Sequence, residues 1–159
     1  MSAIPMQSNA APLPDEPVPR TEQFTCVVNK KKPPVTLMNA IGHMTAGLIH
    51  RHGINSISMR FRDFFDGDGS IHPATSENGY IILRAENSNQ LRRLRAELLE
   101  RGILFTDFTQ TMVEGNYVTQ QREFSGLSEA DLDYIGVCFF ADCETSRTLT
   151  KKFSLYVGS

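Results

Sequence analysis

The sequence predicts an α/β fold, a single sheet covered by helices on both faces. Three short apolar runs rich in β-branched and aromatic residues carry that reading: Phe24 to Val28, Gly79 to Ala85 and Tyr134 to Phe140. Each has the length and composition of a buried strand. The first two are followed by segments in which apolar residues recur every three or four positions, as on a helix that buries one stripe.

Taken in order, the first strand stops at Asn29, where Lys30, Lys31, Lys32, Pro33 and Pro34 turn the chain into a loop. From Thr36 to His50, Leu37, Ile41, Met44 and Leu48 share one helical face, and Gly53 is the stop. Ile54 to Phe65 alternates imperfectly. The Asp66-Gly67-Asp68-Gly69 run behind it is hairpin-turn chemistry, so an extra hairpin follows the first helix. Gly79 to Ala85 leads into a helix that starts at Ser88, carries Leu91, Leu94, Leu98 and Leu99, and stops at Gly102. Ile103 to Phe108 reads as a short strand, and Thr109 to Leu127, without sustained periodicity, as a long loop. After the strand at Tyr134, Asp142 caps a short helix ending near Thr150, and Phe153 to Tyr156 is strand-like. Strands alternating with helices in this way predict a mostly parallel sheet.

A chain of 159 residues, 40% hydrophobic and 21% charged, fits one globular domain. Pro5, Pro12, Pro14, Pro17 and Pro19 predict a disordered, Pro-rich tail over residues 1–22 ahead of a single domain over 23–159. Sixteen Lys and Arg against eighteen Asp and Glu leave a net charge of -2, which gives no global attraction to nucleic acid or to an anionic membrane. No stretch is long and apolar enough to span a bilayer, and the first residues lack the pattern of a secretory signal. Cys26, Cys138 and Cys143 form an odd set without metal-ligand spacing, which argues for a reducing cytoplasmic location and against structural zinc. No cofactor and no metal are expected.

Asn39 and His43 lie four residues apart on the helical face opposite the apolar stripe. Histidine exchanges a proton near neutrality, and an amide beside it can orient a bound carbonyl, so this pair is the leading catalytic candidate. Asn29, Lys30, Lys31 and Lys32 follow the first strand at its carboxyl end, where open α/β sheets place ligands, and suit a small anionic ligand; the alternative is a hydrated loop. The absence of glycines there excludes a P-loop. Asp66, Asp68 and His72 suggest a cation site, but their register fails the EF-hand pattern and favours a hairpin turn, leaving His72 as a secondary ligand-binding candidate. Arg92, Arg93, Arg95 and Arg101 make the second helix basic, and Glu97, four residues from Arg93 and Arg101, favours a salt-laced solvent face. The loop with Thr106, Asp107, Thr109, Gln110, Thr111, Asn116 and Tyr117 is rich in groups that hydrogen-bond a ligand, and Thr109 is taken as a binding residue.

The opening FTCVVNKKKPPVTLMNAIGHMTAGL, with N-A-x-x-H-x-x-x-G-L in its helix, resembles the family catalogued as domain of unknown function 2000. DGDGSIHPA, GYIILRA and YIGVCFFADCETSRTLT extend the likeness over Phe24 to Leu155. That family is similar in fold to type II peptidyl-tRNA hydrolases. The resemblance implies a three-layer α/β/α sandwich with a mixed four-stranded sheet of order 2-1-4-3, in which the third strand, Ile103 to Phe108, is antiparallel. It also implies a catalytic role for Asp107, matching an acidic residue of those hydrolases. The chain departs from them at the loop-to-helix junction, where Pro33-Pro34-Val35-Thr36 stands in place of a lysine segment.

Three functions follow. The first is a small-ligand or carbonyl-handling enzyme using His43, with Asn39 and Asp107. The second is a noncatalytic binding or regulatory module, acting as a homodimer, that kept a hydrolase-like scaffold. The third, weaker because of the missing lysine and the net charge, is a peptidyl- or aminoacyl-tRNA hydrolase. Fold alone does not choose among them.

Overall fold

The structure, a computed structural model, describes residues 18–53 and 58–157. Strand β1 (Glu22–Asn29) runs through the middle of a five-stranded mixed sheet and is buried from Phe24 onward. On one side it pairs in parallel with β4 (Gly79–Ala85) and on the other antiparallel with β6 (Tyr134–Asp142). Outside β6 lies β5 (Phe105–Thr109), and outside β4 lies the two-residue β7 (Ser154–Leu155), which gives the order β5-β6-β1-β4-β7. A separate antiparallel hairpin joins β2 (Phe61–Phe65) to β3 (Ile71–Ser76).

Four helices among the described residues complete the fold. Helix α1 (Pro34–His52) covers one face of the sheet, burying Leu37, Ala40, Met44 and Leu48 against Phe24, Cys26, Val28, Phe108, Ile135 and Phe140. On the other face, α2 (Ser88–Glu100) buries Leu91, Leu94 and Leu98 against Val27, Leu83, Val137 and Phe139. That layer also takes in Leu149 of α4 (Cys143–Thr150). The two clusters make a layered α/β/α arrangement, because alternate residues of β1 and β6 point to opposite faces. The short α3 (Tyr117–Ser125) sits apart and buries no residue completely.

Sequence and structure agree on β4, on the α4 cap, where the Asp142 carboxylate accepts from Thr145 N at 2.8 Å, and on the presence of the extra hairpin, whose first strand starts only at Phe61, residues 54–57 of the expected Ile54 to Phe65 segment lying outside the described residues. They differ elsewhere. Only one of the four strand pairings in the sheet is parallel, so the expected mostly parallel sheet is instead mixed. The four expected strands, β1, β4, β5 and β6, stand in the relative order 2-1-4-3, but β7 adds a fifth beyond β4. The strand opposed to β1 is β6 rather than Ile103 to Phe108, since β5 is antiparallel to β6 and therefore runs with β1. Hydrophobic period reports burial and carries no information on strand direction. The expected long loop contains a 3₁₀ turn, Gln110–Met112, and then α3. The expected tail reaches only partly into the described residues. Residues 1–17 lie outside them, Thr21 O accepts from Cys143 N at 2.9 Å, and Glu22 already belongs to β1.

The hairpin turn is set by Asp66, whose Oδ1 accepts from Asp68 N and Ser70 N at 2.9 Å each, while Gly69 takes φ of 81°. Its base is tied to the sheet through Asn78, whose Nδ2 donates to Glu22 O and Ser58 O and whose Oδ1 accepts from Arg60 N. Glu77 adds ion pairs to Arg62 and Arg60. His72 pairs with Asp66 at 3.2 Å, within this exposed hairpin.

Helix α1 approaches β6 closely at Gly136, where a Cβ would stand 2.7 Å from Met44 Cε and 3.3 Å from Val27 O. Gly136→Val therefore overfills the layer and lowers unfolding free energy by about 1–3 kcal/mol, measured by urea denaturation. Adding Met44→Ala in the same chain recovers part of that loss, in a cycle that is not additive. A second expectation concerns acid. The hydrogen bond and charge of Arg62, with Arg60 behind it, hold the Glu77 carboxyl below its ordinary 4.5. Its contribution is complete above that value and is lost as pH falls through the lower folded-state value. Amide exchange in β2 and β3 accelerates over that window, and Arg62→Ala makes the acceleration smaller.

Candidate functional site

Helix α1 begins on Pro33-Pro34 without a side-chain cap, Pro34 standing where its missing N–H costs no helical bond. Once Leu37, Ala40, Met44 and Leu48 are seated on the sheet, helical geometry turns Asn39 and His43 outward, one turn apart. They do not face open solvent alone. The His43 ring stacks on Phe108 at the end of β5, with centroids 5.6 Å apart and planes 20° from parallel. Beyond Phe108, Met112, Val113, Gly115 and the inner side of α3 rise as a second wall. Between the walls lies a cavity of about 530 Å³ lined by Asn39, His43, Phe108, Met112, Val113, Gly115, Tyr117, Gln120, Gln121 and Phe124.

The wall opposite α1 is local chemistry. Asn116 caps α3, its Oδ1 accepting from Val118 N at 3.0 Å and Thr119 N at 3.2 Å. Gln120 donates its amide to Met112 O at 3.1 Å and Glu114 O at 3.2 Å, which ties the helix to the turn before it. None of the ten lining residues bears a fixed charge. The side chains of Asn39 and His43 have no hydrogen-bond partner among the described residues, so both stay available to a ligand.

Of the residues expected to converge, Asp107 does not join them. It precedes Phe108 on β5, so its side chain emerges on the opposite face and pairs with Arg95 of α2 at 2.8 Å. The lysine loop does not form an open anion site either. Lys32 bonds Asp133 Oδ2 at 2.5 Å and Gln110 Oε1 at 2.9 Å, Lys30 pairs with Glu86, and only Lys31 remains exposed without such a partner. Asn29, 3% exposed, donates to Tyr134 O at 3.2 Å and accepts from Lys31 N at 3.1 Å. Thr109 is wholly buried, its hydroxyl 2.8 Å from that of Thr111, and His72 stays on the hairpin. The cavity residues that the sequence reading did not assign are Phe108, Met112, Val113, Gly115, Gln120, Gln121 and Phe124. Asn116, read as a loop residue, caps the helix that brings three of them, and an asparagine cap is the signal that could have found it.

These features define an α/β sandwich with one uncharged cavity between its first helix and a short peripheral one. The chain belongs to the family described as protein of unknown function (DUF2000), whose profile matches residues 22–157. A solved structure of a protein of unknown function, Atu0240 from Agrobacterium tumefaciens strain C58, is similar to it. The two share 17% identity and a TM-score of 0.73 over 86% of this chain and 98% of that one, a likeness of fold. No curated protein matches the chain.

Asn29→Ala removes the buried side-chain bonds to Tyr134 O and Lys31 N and lowers stability by about 1–3 kcal/mol, read by chemical denaturation. Asp107→Asn costs about 1 kcal/mol through its partly exposed pair with Arg95. Because both side chains lie outside the cavity, neither substitution changes the chemical shifts of His43 in a histidine NMR spectrum.

Proposed function

We propose that this protein takes a small uncharged molecule into the cavity between α1 and α3 and presents its carbonyl group to His43 and Asn39. The carrying observation is the pair of polar side chains, one helical turn apart and without hydrogen-bond partners among the described residues, at the mouth of an otherwise aromatic and amide-lined space. Asn39 has two amide hydrogens to give a carbonyl oxygen. His43, held by its stack on Phe108, accepts a proton or donates one on the same side. A charged ligand would lose its hydration there without gaining a counter-ion, which disfavours the anionic ligand that the lysine loop suggested. Proton transfer by His43 makes the protein a carbonyl-handling enzyme. Without it, the same cavity serves a noncatalytic module, which light scattering would find as a homodimer.

A tRNA substrate fits less well. It rests on the resemblance to type II peptidyl-tRNA hydrolases, and most of the basic groups of the lysine loop and second helix are engaged: Lys30, Lys32, Arg92, Arg95 and Arg101 have acidic partners, which leaves Lys31 and Arg93.

The test is a thermal-denaturation panel of neutral amides, esters and lactones, followed by turnover assays on any compound that stabilises the chain. A ligand present at about a hundred times its Kd adds about 2.7 kcal/mol of stability. His43→Ala should remove turnover by a factor of about 10²–10⁴. Binding without turnover favours the module. The proposal is wrong if no compound stabilises the chain, or if stabilisation is the same in His43→Ala and Asn39→Ala.

A further inference from the structure

Away from the cavity mouth, under the same helix, two cysteines face each other across the sheet. Cys26 of β1 and Cys138 of β6 are register partners in the antiparallel pair, and both side chains join the α1-side core at 0% exposure. Opposed residues in such a pair have Cα atoms about 4.5–5.5 Å apart, within the span of about 4.4–6.8 Å that a disulfide bridges. Both thiols are free.

The sulfurs have a polar cover. The Tyr80 hydroxyl, reaching over from β4, lies 3.4 Å from Cys26 Sγ, 3.8 Å from Cys138 Sγ and 2.5 Å from Thr45 Oγ1. Thr45 in turn donates to Ile41 O at 2.7 Å. One phenol proton therefore has three acceptors around it, and a single hydroxyl touches both sulfurs. Tyr80 is 37% exposed and Thr45 partly so, which leaves the thiol pair one side chain deep. The neighbouring Cys138 sulfur and burial push the Cys26 thiol well up, while Cys26 and the Tyr80 hydroxyl lower Cys138. Such asymmetry suits one sulfur to attack and the other to resolve.

We infer that Cys26 and Cys138 are a redox-active dithiol, which a small hydroperoxide converts into a disulfide joining β1 to β6 at the middle of the sheet. The Cys138 thiolate attacks the terminal oxygen of the hydroperoxide. The O–O bond breaks, the departing alkoxide takes up a proton to become an alcohol, and Cys138 is left as a sulfenic acid. The Cys26 sulfur then attacks Cys138 sulfur, the S–O bond breaks, and hydroxide leaves with the Cys26 proton as water. Two thiols and one hydroperoxide give one disulfide, one alcohol and one water, with the peroxide reduced and the sulfurs oxidised.

The experiment uses the full chain carrying Cys143→Ala, treated with hydrogen peroxide, denatured, alkylated and mapped by mass spectrometry. The expected product is a Cys26–Cys138 cross-linked peptide lighter by two hydrogens, reversed by a thiol reductant, in a protein whose Tm has risen. In Cys26→Ser with Cys143→Ala, the resolving sulfur is gone, and a diketone reagent traps the sulfenic acid on Cys138. Full alkylation of both cysteines after peroxide would overturn the inference. So would sulfinic acid at Cys138 with Cys26 still reduced. Both readouts are independent of any ligand in the His43 cavity.

Discussion

Everything at the candidate site depends on how deeply α1 is seated on the sheet. Gly136 gives β6 a flat spot directly under Met44, and Thr106 fixes the level of the helix by donating its hydroxyl to Met44 O at 2.7 Å. Gly47 comes within 3.3 Å of the Thr106 methyl, if a Cβ were added to it, so the helix has little freedom to slide along β5. This seat fixes the rotation of α1 about its own axis. The rotation in turn decides that His43 lies over Phe108 while Thr45 meets Tyr80. A cavity on one flank and a thiol pair beneath the other follow from a single packing contact, because core layers repack in discrete arrangements and do not slide continuously.

Charge placement works in the same direction. Lysines and arginines around the strand ends are spent on neighbouring carboxylates and carbonyls, as when Arg92 bonds Leu132 O and Ala130 O or Lys32 bridges to Asp133. These bonds fasten the segment between β5 and β6 to α2 and to the loop after β1. They also keep ionic groups out of the cavity, where their desolvation would go uncompensated.

Much of the scaffold was legible in the chain. Val27, Leu83 and Phe139 sit in runs whose composition alone marks them as core strand, and Leu91, Leu94 and Leu98 fall at helical spacing, so burial and element type could be read directly. His43 and Asn39 were legible as a matched polar face for the same reason. Three things were not. The direction of β6 leaves no trace in a pattern of period two. Helix α3 buries no residue fully, so it lacks the apolar stripe that periodicity detects, and its N-cap, Asn116, reads equally well as a loop residue. Asp107 was placed with His43 by family resemblance. One position on a strand decides its face, and Asp107 is one position away from Phe108, whose ring stacks on His43.

The two sides of the cavity are unequally built. The α1 side rests on a continuous buried layer, whereas α3 is held by an asparagine cap, two amide hydrogen bonds from Gln120 and the half-buried Phe124. Local opening free energy is lowest where buried contacts are few. The site therefore resembles a vice with one fixed jaw and one spring-loaded jaw. For the ligand proposed above, polar alignment against the fixed side would be demanding while girth would be read only loosely by the sprung side, so related molecules of different bulk but identical carbonyl geometry would be admitted alike.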